Sequence, residues 1–540
     1  MLFFSKQYLV RLPWRICSQL LLLIALSSSA VESYLDNGVV KVGSDLALGG
    51  SITYLSASGT SNNMVNSYDL GRQIQQSYYS GPEPYDPSNN VSPYWVGWAW
   101  NPIQSGDYFT NHSILLDSTN DGQTIYVKCR PMQWALDNVP GECTFETWIQ
   151  LDGNVVTVSN RLLNARPDTN QYRAYEQELP AVYTIGKYYR LYSYSGDAPF
   201  TGAPVTNFPA FTDGVQFYGW DATECWAAFL NTTNWGLGVY SPGIIRYSGG
   251  FVGTPNTGGP KDPTTGYLSP VHDEILDSNI EYTFSYNLIV GTLQQIRDWV
   301  YTQPYRSGCN FNFQSDRQHW WYSNTTDSGW PIVDRLHVNL GGFDPQMISP
   351  VMSYAATNVP KLYIKAAYNM SHPTGQNTGR LYWKTNATDG FLIARSVQFT
   401  ALTDEQYHIY ELDLLDSSTY TGTIRQFRFD PVTAGDPGDY MDLAWISSSP
   451  FAYNDAVKPI LGIRQDGGKV VVSFLAKSGT AAGYVGNQLL YHLEQSTNFP
   501  PTDWQAVPGY VDFVGNGSEV TYTNSPSSVD RHFRVRVTLQ

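Results

Sequence analysis

Short apolar or alternating segments separated by polar turn residues dominate the chain. Seven of them are rich in β-branched and aromatic residues and are bounded by Gly, Asn, Asp or Pro: TIYVKC, CTFETWIQL, NVVTVSNRL, YYRLYSY, CWAAFL, LGVYS and EYTFSYNLIVGTL. Such segments are typical of strands. Helical periodicity is almost absent, and the best helix is predicted over residues 292–303, where Leu293, Ile296, Trp299 and Val300 share one face. The chain is therefore predicted to be all-β.

The composition supports this prediction and divides the chain. With 46 Gly, 32 Pro and 14% aromatic residues in 540, it is typical of a large β protein with many turns. No repeat of fixed period is found, which disfavours a propeller or a solenoid. The composition shifts near residues 305–310 and 450–460, so we predict three β domains over residues 35–305, 308–450 and 458–540.

The first thirty residues have the pattern of a secretory leader. Lys6, Arg11 and Arg15 precede the apolar run LLLLIAL, and SSSA then offers a small-residue cleavage site near Ala30. We expect residues 1–30 to be a signal peptide and the mature protein to be secreted and extracellular. A signal anchor is the alternative, although the run is shorter than the ~20 residues that a spanning helix needs. No later stretch is apolar enough, so we expect no membrane insertion.

Removal of this leader makes the protein more acidic. It takes away three of the 32 basic residues and none of the 47 acidic ones, so the net charge moves from −15 to about −18. Nucleic acids and anionic lipids bind to positive surfaces. We therefore expect no nucleic-acid partner, and a neutral or cationic ligand fits better.

Cysteines and sequons are interpreted in the light of secretion. Four cysteines remain after the leader, so two disulfides are expected in an oxidising compartment, with the pair Cys129–Cys143 favoured because it flanks one loop between two strands. A zinc site is the alternative, but no C-x-x-C and no close His partner is present, so we predict no metal. The cysteines are Cys129, Cys143, Cys225 and Cys309, and the predicted glycan acceptors are Asn90, Asn111, Asn231, Asn324, Asn369, Asn386 and Asn516.

The segments NFNFQSDRQHWW, GRLYWKT, YHIYELDL, IRQFRFDP and YMDLAWI follow one another between residues 308 and 450. Together they resemble a carbohydrate-binding jelly roll of the kind appended to secreted polysaccharide-degrading enzymes. The resemblance implies that exposed aromatic residues stack on sugar rings, and core packing is the alternative for each. The candidates are Trp320, Trp321, Trp330 and Trp383. The segments KVVVSF, LLYHLEQSTNF, DWQAVPG and RHFRVRV resemble an immunoglobulin or fibronectin-type sandwich, which implies a spacer or adhesion module.

In the first domain, GSITYLS, NMVNSYDLGRQIQQSYY, WNPIQSGD, ECTFETWIQLDG and EQELPAVYT succeed one another over residues 40–300. This order resembles the β-supersandwich of galactose mutarotase-like proteins, which include aldose epimerases and the sheet domains of several polysaccharide lyases and glycosidases. The resemblance implies a sugar on the concave sheet. A mutarotase pairs a His acid with a carboxylate base, but His112 and His272 lie outside the usual motif of the family, so simple epimerase chemistry is not expected.

Three carboxylates are candidate catalytic residues. Glu176 and Glu178 are two apart and share a face of a strand, and two acids held together can have their pKa values pushed apart for general acid and base catalysis. Glu224 stands among apolar residues, where burial would raise its pKa. The alternative for each is a structural or solvent-facing carboxylate.

Two polar and aromatic stretches supply candidate binding residues. In NSYDLGRQIQQSYYSG, residues 66–81, a strand would present donors and stacking rings to a sugar, whereas a helix would make the same residues a solvated surface. In WVGWAWNPIQSGD, residues 95–107, two tryptophans share a strand face suited to stacking and a polar turn follows. The candidates are Asp69, Arg72, Gln75, Tyr78, Trp98, Trp100, Asn101, Gln104 and Asp107.

The leading hypothesis is a secreted carbohydrate-active protein that binds and cleaves a polysaccharide as a glycoside hydrolase. No cofactor is expected, because neither G-x-G-x-x-G nor a Walker loop occurs. One alternative is a non-catalytic extracellular matrix or adhesion protein. Another is a polysaccharide lyase with a base from Tyr78 or Tyr79, although the acidic charge disfavours a uronic polymer.

Overall fold

The regular structure of the chain is almost entirely antiparallel β-sheet, which confirms the all-β prediction. A computed structural model describes residues 32–85, 90–208, 217–304, 309–386, 389–450, 461–477, 489–497, 503–524 and 531–539. No helix in these residues has the length and apolar character to cross a membrane. The predicted signal peptide over residues 1–30 lies outside the described residues and stays a prediction.

Strands between Glu32 and Thr292 form two large sheets, called here the N-terminal sandwich. They are β1 Glu32–Asp36, β2 Val40–Asp45, β3 Ser51–Ala57, β4 Ile74–Ser77, β5 Pro102–Ile103, β6 Ile114–Asn120, β7 Thr124–Arg130, β8 Met132–Gln133, β9 Cys143–Asp152, β10 Val155–Asn164, β11 Tyr175–Ile185, β12 Arg190–Ser193, β13 Thr206–Phe208, β14 Tyr218–Asp221, β15 Trp226–Leu230, β16 Trp235–Tyr240, β17 Arg246–Val252, β18 Thr265–Glu274 and β19 Glu281–Thr292. A short 3₁₀ helix, Leu46–Leu48, follows β2.

The two sheets pack face to face. In the described residues, one sheet has ten strands in the order β1-β2-β3-β4-β11-β18-β17-β14, with β5 beside β4 and β8 beside β5. The other has nine, in the order β13-β12-β15-β16-β19-β10-β9-β7-β6. Val182 and Leu268 of the first sheet share one buried cluster with Val156 and Leu288 of the second. Each such side chain stabilises the fold by about 1.5–3 kcal/mol.

One helix, α1 Leu293–Tyr301, follows β19 directly and confirms the helix predicted over residues 292–303. Its start is fixed by a capping box, in which Thr292 accepts from the backbone of Gln295 while the Gln295 side chain accepts from the backbone of Thr292. Ile296 and Val300 are buried against the nine-stranded sheet, on the side away from the sandwich core.

Strands between Asn310 and Ser447 form the middle sandwich, whose main sheets have five strands each in the described residues. They are β20 Asn310–Asn312, β21 Trp321–Ser323, β22 Leu336–Asn339, β23 Gly342–Phe343, β24 Gln346–Ile348, β25 Tyr354–Ala355, β26 Lys361–Asn369, β27 Thr378–Lys384, β28 Ser396–Thr400, β29 His408–Asp413, β30 Thr423–Ile424, β31 Gln426–Asp430, β32 Ala434–Gly435 and β33 Tyr440–Ser447, with a 3₁₀ helix at Ala356–Asn358. Trp320 and Trp383 are fully buried in its core, so they do not serve the predicted sugar stacking, whereas Trp321 and Trp330 are half-buried at its edge.

The remaining described strands form a three-stranded and a four-stranded sheet at the C-terminal end. They are β34 Gly462–Asp466, β35 Lys469–Ala476, β36 Leu489–Ser496, β37 Gln505–Ala506, β38 Phe513–Val514, β39 Ser518–Asn524 and β40 His532–Leu539. As alternation in HFRVRV predicts, Val535 and Val537 pack against the cluster, while Arg534 and Arg536 both donate to Glu494.

The predicted disulfides do not form in this structure. Cys129, Cys143, Cys225 and Cys309 are all buried free thiols. In the pairing of β7 with β9, Cys129 lies opposite Phe145, so the favoured partner Cys143 is displaced by two residues along the neighbouring strand. Both thiols pack in one apolar cluster, where they behave as small hydrophobic side chains.

Candidate functional site

The outward face of the ten-stranded sheet carries Glu178, and an irregularity in β11 decides its direction. Val182 pairs with Leu268, and both point into the core. Between Glu178 and Val182 the register shifts, because four residue steps on β11 match only three steps on β18, from Leu268 to Val271. Successive residues of a strand face opposite sides, so strict alternation from Val182 would place Glu178 in the core. The extra residue on β11 reverses this direction and turns Glu178 outward.

Tyrosine side chains surround the carboxyl group of Glu178. Tyr79 donates a hydrogen bond of 2.8 Å to Glu178 Oε2, and the Tyr267 hydroxyl donates to Oε1. The ring of Tyr183, the cross-strand neighbour of Tyr267, lies 5.0 Å from the Tyr267 ring. Tyr183 and Tyr267 belong to the neighbouring strands β11 and β18, and Tyr79 follows the end of β4, the strand on the other side of β11.

Burial and the neighbouring hydroxyls act on the pKa of Glu178 in opposite directions. Burial raises the pKa of Glu178, although the hydroxyls of Tyr267 and Tyr79 oppose the rise by donating to the carboxylate. Burial and the neighbouring Glu178 carboxylate also raise the pKa values of Tyr79 and Tyr267 well above their usual range. Both tyrosines therefore remain protonated hydrogen-bond donors, and Glu178 keeps its proton to a higher pH than an ordinary glutamate.

Aromatic rings extend this surface toward solvent. Trp98 is half-buried, and its ring lies 6.2 Å from Tyr79 and 4.9 Å from Trp95 in edge-on arrangements. On the other side the exposed ring of Phe217 lies 4.7 Å from Tyr267. We call the surface formed by Tyr79, Trp98, Glu178, Tyr183 and Tyr267 the tyrosine face. Its combination of flat rings, hydroxyl donors and one carboxyl group is suited to a sugar, which presents apolar ring faces and hydroxyls.

A second carboxylate follows on the same face. Glu176 is exposed and pairs across the strands with Asp273. Partial burial, with the charges of Asp273 and Glu178, raises the pKa of Glu176, and nearby Arg246 opposes the rise. Because alternate residues of a strand are about 7 Å apart, Glu176 and Glu178 have a spacing within the ~5–10 Å that separates the carboxyl groups of glycosidases.

Asp69 and Arg72 lie in the turn before β4 at the border of the tyrosine face. The Arg72 guanidinium is 3.2 Å from Asp69, lies over the ring of Tyr68 and donates to the carbonyl of Pro263. The charges of both residues act on the hydroxyl of Tyr183. The structure thus brings together Glu176, Glu178, Arg72, Asp69 and Trp98 from the predicted set.

Tyr78, Gln75 and Trp100 do not lie on this surface, which corrects their prediction as sugar-binding residues. Tyr78 is fully buried because it alternates with Tyr79, and its hydroxyl donates to the buried Gln76. The amide of Gln75 bonds to Leu70 and Gln73 inside the protein.

Trp100 is also fully buried, although Trp98 is not. The segment around them is a series of turns, so the two rings do not share a strand face. The indole of Trp100 donates to Glu142 within the protein, at 3.1 Å.

The polar residues that follow Trp100 are buried and structural, contrary to the prediction. Asn101 donates to the carbonyl of Tyr78, and Gln104 donates to the carbonyl of Gly49. Asp107 accepts from the backbone of Asn111 and of Asn138, each at 2.8 Å. These side chains form hydrogen bonds with backbone groups that have no strand partner in this irregular buried segment.

Glu224 is likewise a structural carboxylate and lies apart from Glu176 and Glu178. Its side chain is fully buried beneath α1 and forms an ion pair of 2.8 Å with Arg297. Tyr301, Trp226 and the backbone of Phe200 also donate to it. Because the side chain is fully buried and its hydrogen-bond donors all belong to the protein itself, Glu224 is not accessible to a substrate.

The sequons differ in accessibility, and glycosylation stays a prediction. The side chain of Asn111 is tied to Asp107 and Asp137, which competes with attachment of a glycan. Half-buried acceptors are Asn111, Asn231 and Asn369, and exposed ones are Asn90, Asn324, Asn386 and Asn516.

A second polar cluster lies between the N-terminal and middle sandwiches. His272 and Glu274 at the end of β18 meet His319 of the middle sandwich, and we call these three residues the histidine cluster. Glu274 and His319 border a cleft of about 840 Å³ between the two sandwiches. Among the described residues, this cluster is the group of three candidate ligand residues whose ligand atoms lie close enough together to hold a metal ion.

Tyr183, Tyr267, Glu274 and His319 are not among the residues predicted from the sequence. Counting from the buried Ile74 would have placed Tyr79, not Tyr78, on the outer face. In YLSPVHDE the two-residue spacing of His272 and Glu274 could have indicated a shared strand face. His319 lies 45 positions after Glu274, and no local pattern connects them.

Comparison with family models gives no match for this chain, and comparison with curated protein sequences gives none either. Among solved structures, a galactose mutarotase related enzyme from Lactobacillus acidophilus is 9% identical over 48% of this chain and 97% of its own, with a TM-score of 0.32. A galactose mutarotase-like protein from Lactobacillus casei is 10% identical over 48% and 99%, with a TM-score of 0.32. An alpha-galactosidase from Lactobacillus brevis is 8% identical over 49% and 40%, with a TM-score of 0.29. About half of the chain is thus similar to solved structures that include galactose mutarotase-like proteins.

Proposed function

We propose that this is a secreted carbohydrate-active protein that binds a polysaccharide on the tyrosine face and cleaves it as a glycoside hydrolase. The observation that carries the proposal is the state of Glu178, a half-buried carboxyl group with a raised pKa that accepts from two tyrosine hydroxyls. The predicted leader supports the secreted location. The acidic net charge of the chain favours a neutral glycan.

Binding would use the rings and hydroxyls of this face. Trp98 and Phe217 offer partly exposed aromatic surface on either side of Glu178, on which the apolar faces of successive sugar units can stack. Arg72 at the border can donate to sugar hydroxyls, as arginine has five donors and its ion pair with Asp69 uses only some of them.

Cleavage would use the two carboxyl groups in different roles. Glu178, which keeps its proton to a higher pH than an ordinary glutamate because burial raises its pKa, would donate that proton to the glycosidic oxygen as the sugar bond breaks. Glu176, more exposed and about 7 Å along the strand, would act as the second carboxylate, on water or on the sugar carbon. The oxygen of the leaving sugar gains the proton, and the carbon of the other sugar gains a hydroxyl group from water.

The tyrosine pKa values argue against the lyase alternative. A lyase needs a base that removes a proton beside a carboxylate. Tyr79 and Tyr267 have pKa values well above the usual range, because they are buried next to Glu178, so they stay protonated and do not supply the phenolate that would remove this proton. The carboxylates Glu176 and Asp273 on the same face would also repel a uronic polymer.

A panel of neutral and acidic glycans tests the proposal. The full chain is screened for binding on a glycan array, and each bound polysaccharide is then incubated with the protein and assayed for new reducing ends. We expect binding to a neutral polysaccharide and release of reducing ends from it. Binding without release would favour the non-catalytic adhesion alternative, and no binding to any glycan would contradict the proposal.

A further inference from the structure

The histidine cluster joins two parts of the protein through a shared carboxylate. His272 and Glu274 lie two residues apart at the end of β18, and so on one face of that strand. His319 belongs to the loop between β20 and β21, and its Nδ1 forms a hydrogen bond with Glu274 Oε1. The Nε2 atom of His272 lies 3.4 Å from the same oxygen. One candidate ligand atom from each residue lies within 4.8 Å of the other two.

The cluster is largely screened from water but can be reached. The side chains of His272 and Glu274 are 8% and 6% exposed, whereas that of His319 is 38% exposed. The hydroxyl of Tyr282 lies 2.8 Å from His272 Nε2 and donates to Glu274 Oε1. Since Glu274, Tyr282 and His319 line the cleft between the sandwiches, an ion has an open path from solvent.

The His272 ring makes its hydrogen bonds only toward the cluster. Its Nδ1 is a buried polar atom without a partner in the described residues. Its Nε2 faces Tyr282 and Glu274. The atom of His272 that makes contacts, Nε2, is thus directed at groups that are themselves candidate ligands.

The backbone that presents His319 is strained and firmly supported. Gln318 and His319 both have left-handed φ values, 51° and 62°, which non-glycine residues seldom adopt. Asp316 holds this turn by accepting from the backbone of Gln318 at 2.7 Å. Strain of this kind persists where the surroundings fix the conformation, and it is found preferentially at functional sites.

Arg317, the residue before this turn, locks it to the N-terminal sandwich. Its guanidinium is buried and lies 2.7 Å from Asp277 of that sandwich and 2.6 Å from Asp327 of the middle sandwich. Gln171 also donates to both carboxylates. His319 is therefore presented to Glu274 by a rigid, hydrogen-bonded support, as a metal site requires.

The donor set and spacing fit a small divalent transition metal. Two imidazoles and one carboxylate are the protein ligands of many open zinc sites, in which water takes the fourth position. With bonds of about 2.0–2.1 Å, ligand atoms around a tetrahedral zinc ion lie roughly 3.3 Å apart. The separation of His272 Nε2 from Glu274 Oε1 matches this value. The ion would replace the hydrogen bond between His319 and Glu274.

We propose that His272, Glu274 and His319 form a binding site for a divalent transition-metal ion, zinc by its donor chemistry, that clamps the N-terminal sandwich to the middle sandwich. Tyr282 orients Glu274 by donating to it and also lies beside His272. The histidine cluster shares no residue with the tyrosine face, although Glu176 lines one pocket with His272 and His319, and its existence does not depend on the proposed glycan chemistry.

Zinc binding by the full chain tests this site. The protein is stripped with a chelator, desalted and titrated with Zn²⁺ by calorimetry, and its melting temperature is measured with and without the ion. We expect one equivalent of zinc to bind and to raise the melting temperature, because a ligand that binds only the folded state stabilises it. A wild-type protein that takes up no zinc overturns the proposal.

Two variants separate this site from zinc that adheres elsewhere. His319→Gln removes a half-exposed ligand without opening a buried cavity, and we expect zinc affinity to fall at least tenfold. His337→Gln is the matched control, because His337 has similar exposure and bonds to Asp442 at 2.7 Å without a second histidine. Equal zinc affinity in His319→Gln and in the wild type overturns the proposal. Circular dichroism confirms that each variant is folded.

Cobalt supplies a signature that a merely structural role of His319 would not produce. Co²⁺ bound by nitrogen and oxygen ligands in a four-coordinate site has visible absorption bands. We expect these bands in the wild type and in His337→Gln and their loss in His319→Gln. Bands of full intensity in His319→Gln would also overturn the proposal.

Discussion

The tyrosine face and the histidine cluster each contain a glutamate of the ten-stranded sheet, yet they shift the pKa of its carboxyl group in opposite directions. Burial alone would raise the pKa of both. At Glu178 the neighbours are neutral tyrosine hydroxyls, and the pKa stays raised. At Glu274 burial is opposed by the charge and hydrogen bond of His319, and the pKa is lowered overall. The partners, rather than the depth of burial, decide whether a buried carboxyl acts as a proton donor or as an anion.

The two regions are also assembled differently. The tyrosine face takes all its residues from the N-terminal sandwich, mostly from neighbouring strands of one sheet, with Trp98 from a segment of turns. The histidine cluster needs residues of both sandwiches, and the buried Arg317 with two aspartates fixes their relation. A substitution on the tyrosine face should therefore change chemistry with little effect on stability, whereas one at the junction should change stability first.

Glu178→Gln should have the largest effect on activity. Glutamine keeps the size and one acceptor oxygen for the tyrosine hydroxyls but cannot donate the proton. We expect the rate of glycan cleavage to fall by about 10²–10⁴-fold, the usual contribution of general acid catalysis, while glycan binding changes little. Reducing-end assays and calorimetry measure the two quantities.

Glu32→Gln is the matched control for this substitution. Glu32 is on the edge strand β1 of the same sheet and also accepts from a tyrosine, Tyr34, but lies apart from the tyrosine face. Its activity should equal that of the wild type. Equal activity of Glu178→Gln and Glu32→Gln would remove Glu178 from the reaction.

Arg317→Met should have the largest effect on stability. It leaves Asp277 and Asp327 buried without their cation, which costs about 3–5 kcal/mol. Denaturant unfolding measures the loss. Arg395→Met is the control, since its ion pair with Asp389 is more exposed and should contribute at most about 1 kcal/mol. A similar small loss in both variants would show that the junction is not held by this network.

Tyr267→Phe should change the pH dependence of activity more than its maximum. The hydroxyl donates to Glu178 and holds the pKa of the carboxyl down, so its removal should raise that pKa further. A higher pKa keeps the acid protonated to a higher pH, and we expect the alkaline limb of the rate profile to move to higher pH. Tyr183→Phe, whose hydroxyl makes no hydrogen bond to Glu178 in the described residues, should leave the limb in place.

The smallest expected effect is on stability as a function of pH. The pKa of Glu178 is raised in the folded state, so its contribution to stability is complete below the pKa of the unfolded chain. That contribution is lost as the pH rises through the folded-state pKa. The melting temperature of Glu178→Gln, relative to that of the wild type, should therefore increase as the pH rises from acidic to neutral. A difference independent of pH would mean that the pKa of Glu178 is not raised.

The sequence predicted what local alternation determines. The strands, the helix after β19 and the shared face of Glu176 and Glu178 all follow from residue periodicity over a few positions. Prediction from local pattern was wrong where turns interrupt a strand, as between Trp98 and Trp100. It was also wrong where the hydrogen-bond partner of a side chain is distant in sequence. Glu224 was misassigned for this reason, because Arg297 lies 73 residues away.

A crystal structure of Glu178→Gln with the polysaccharide fragment that it binds would test the central claim most directly. We predict that the sugar lies on the tyrosine face, with a ring stacked on Trp98 and the glycosidic oxygen within hydrogen-bonding distance of residue 178. A fragment bound in the cleft beside His319, with the tyrosine face empty, would contradict the assignment of the site and of the catalytic acid.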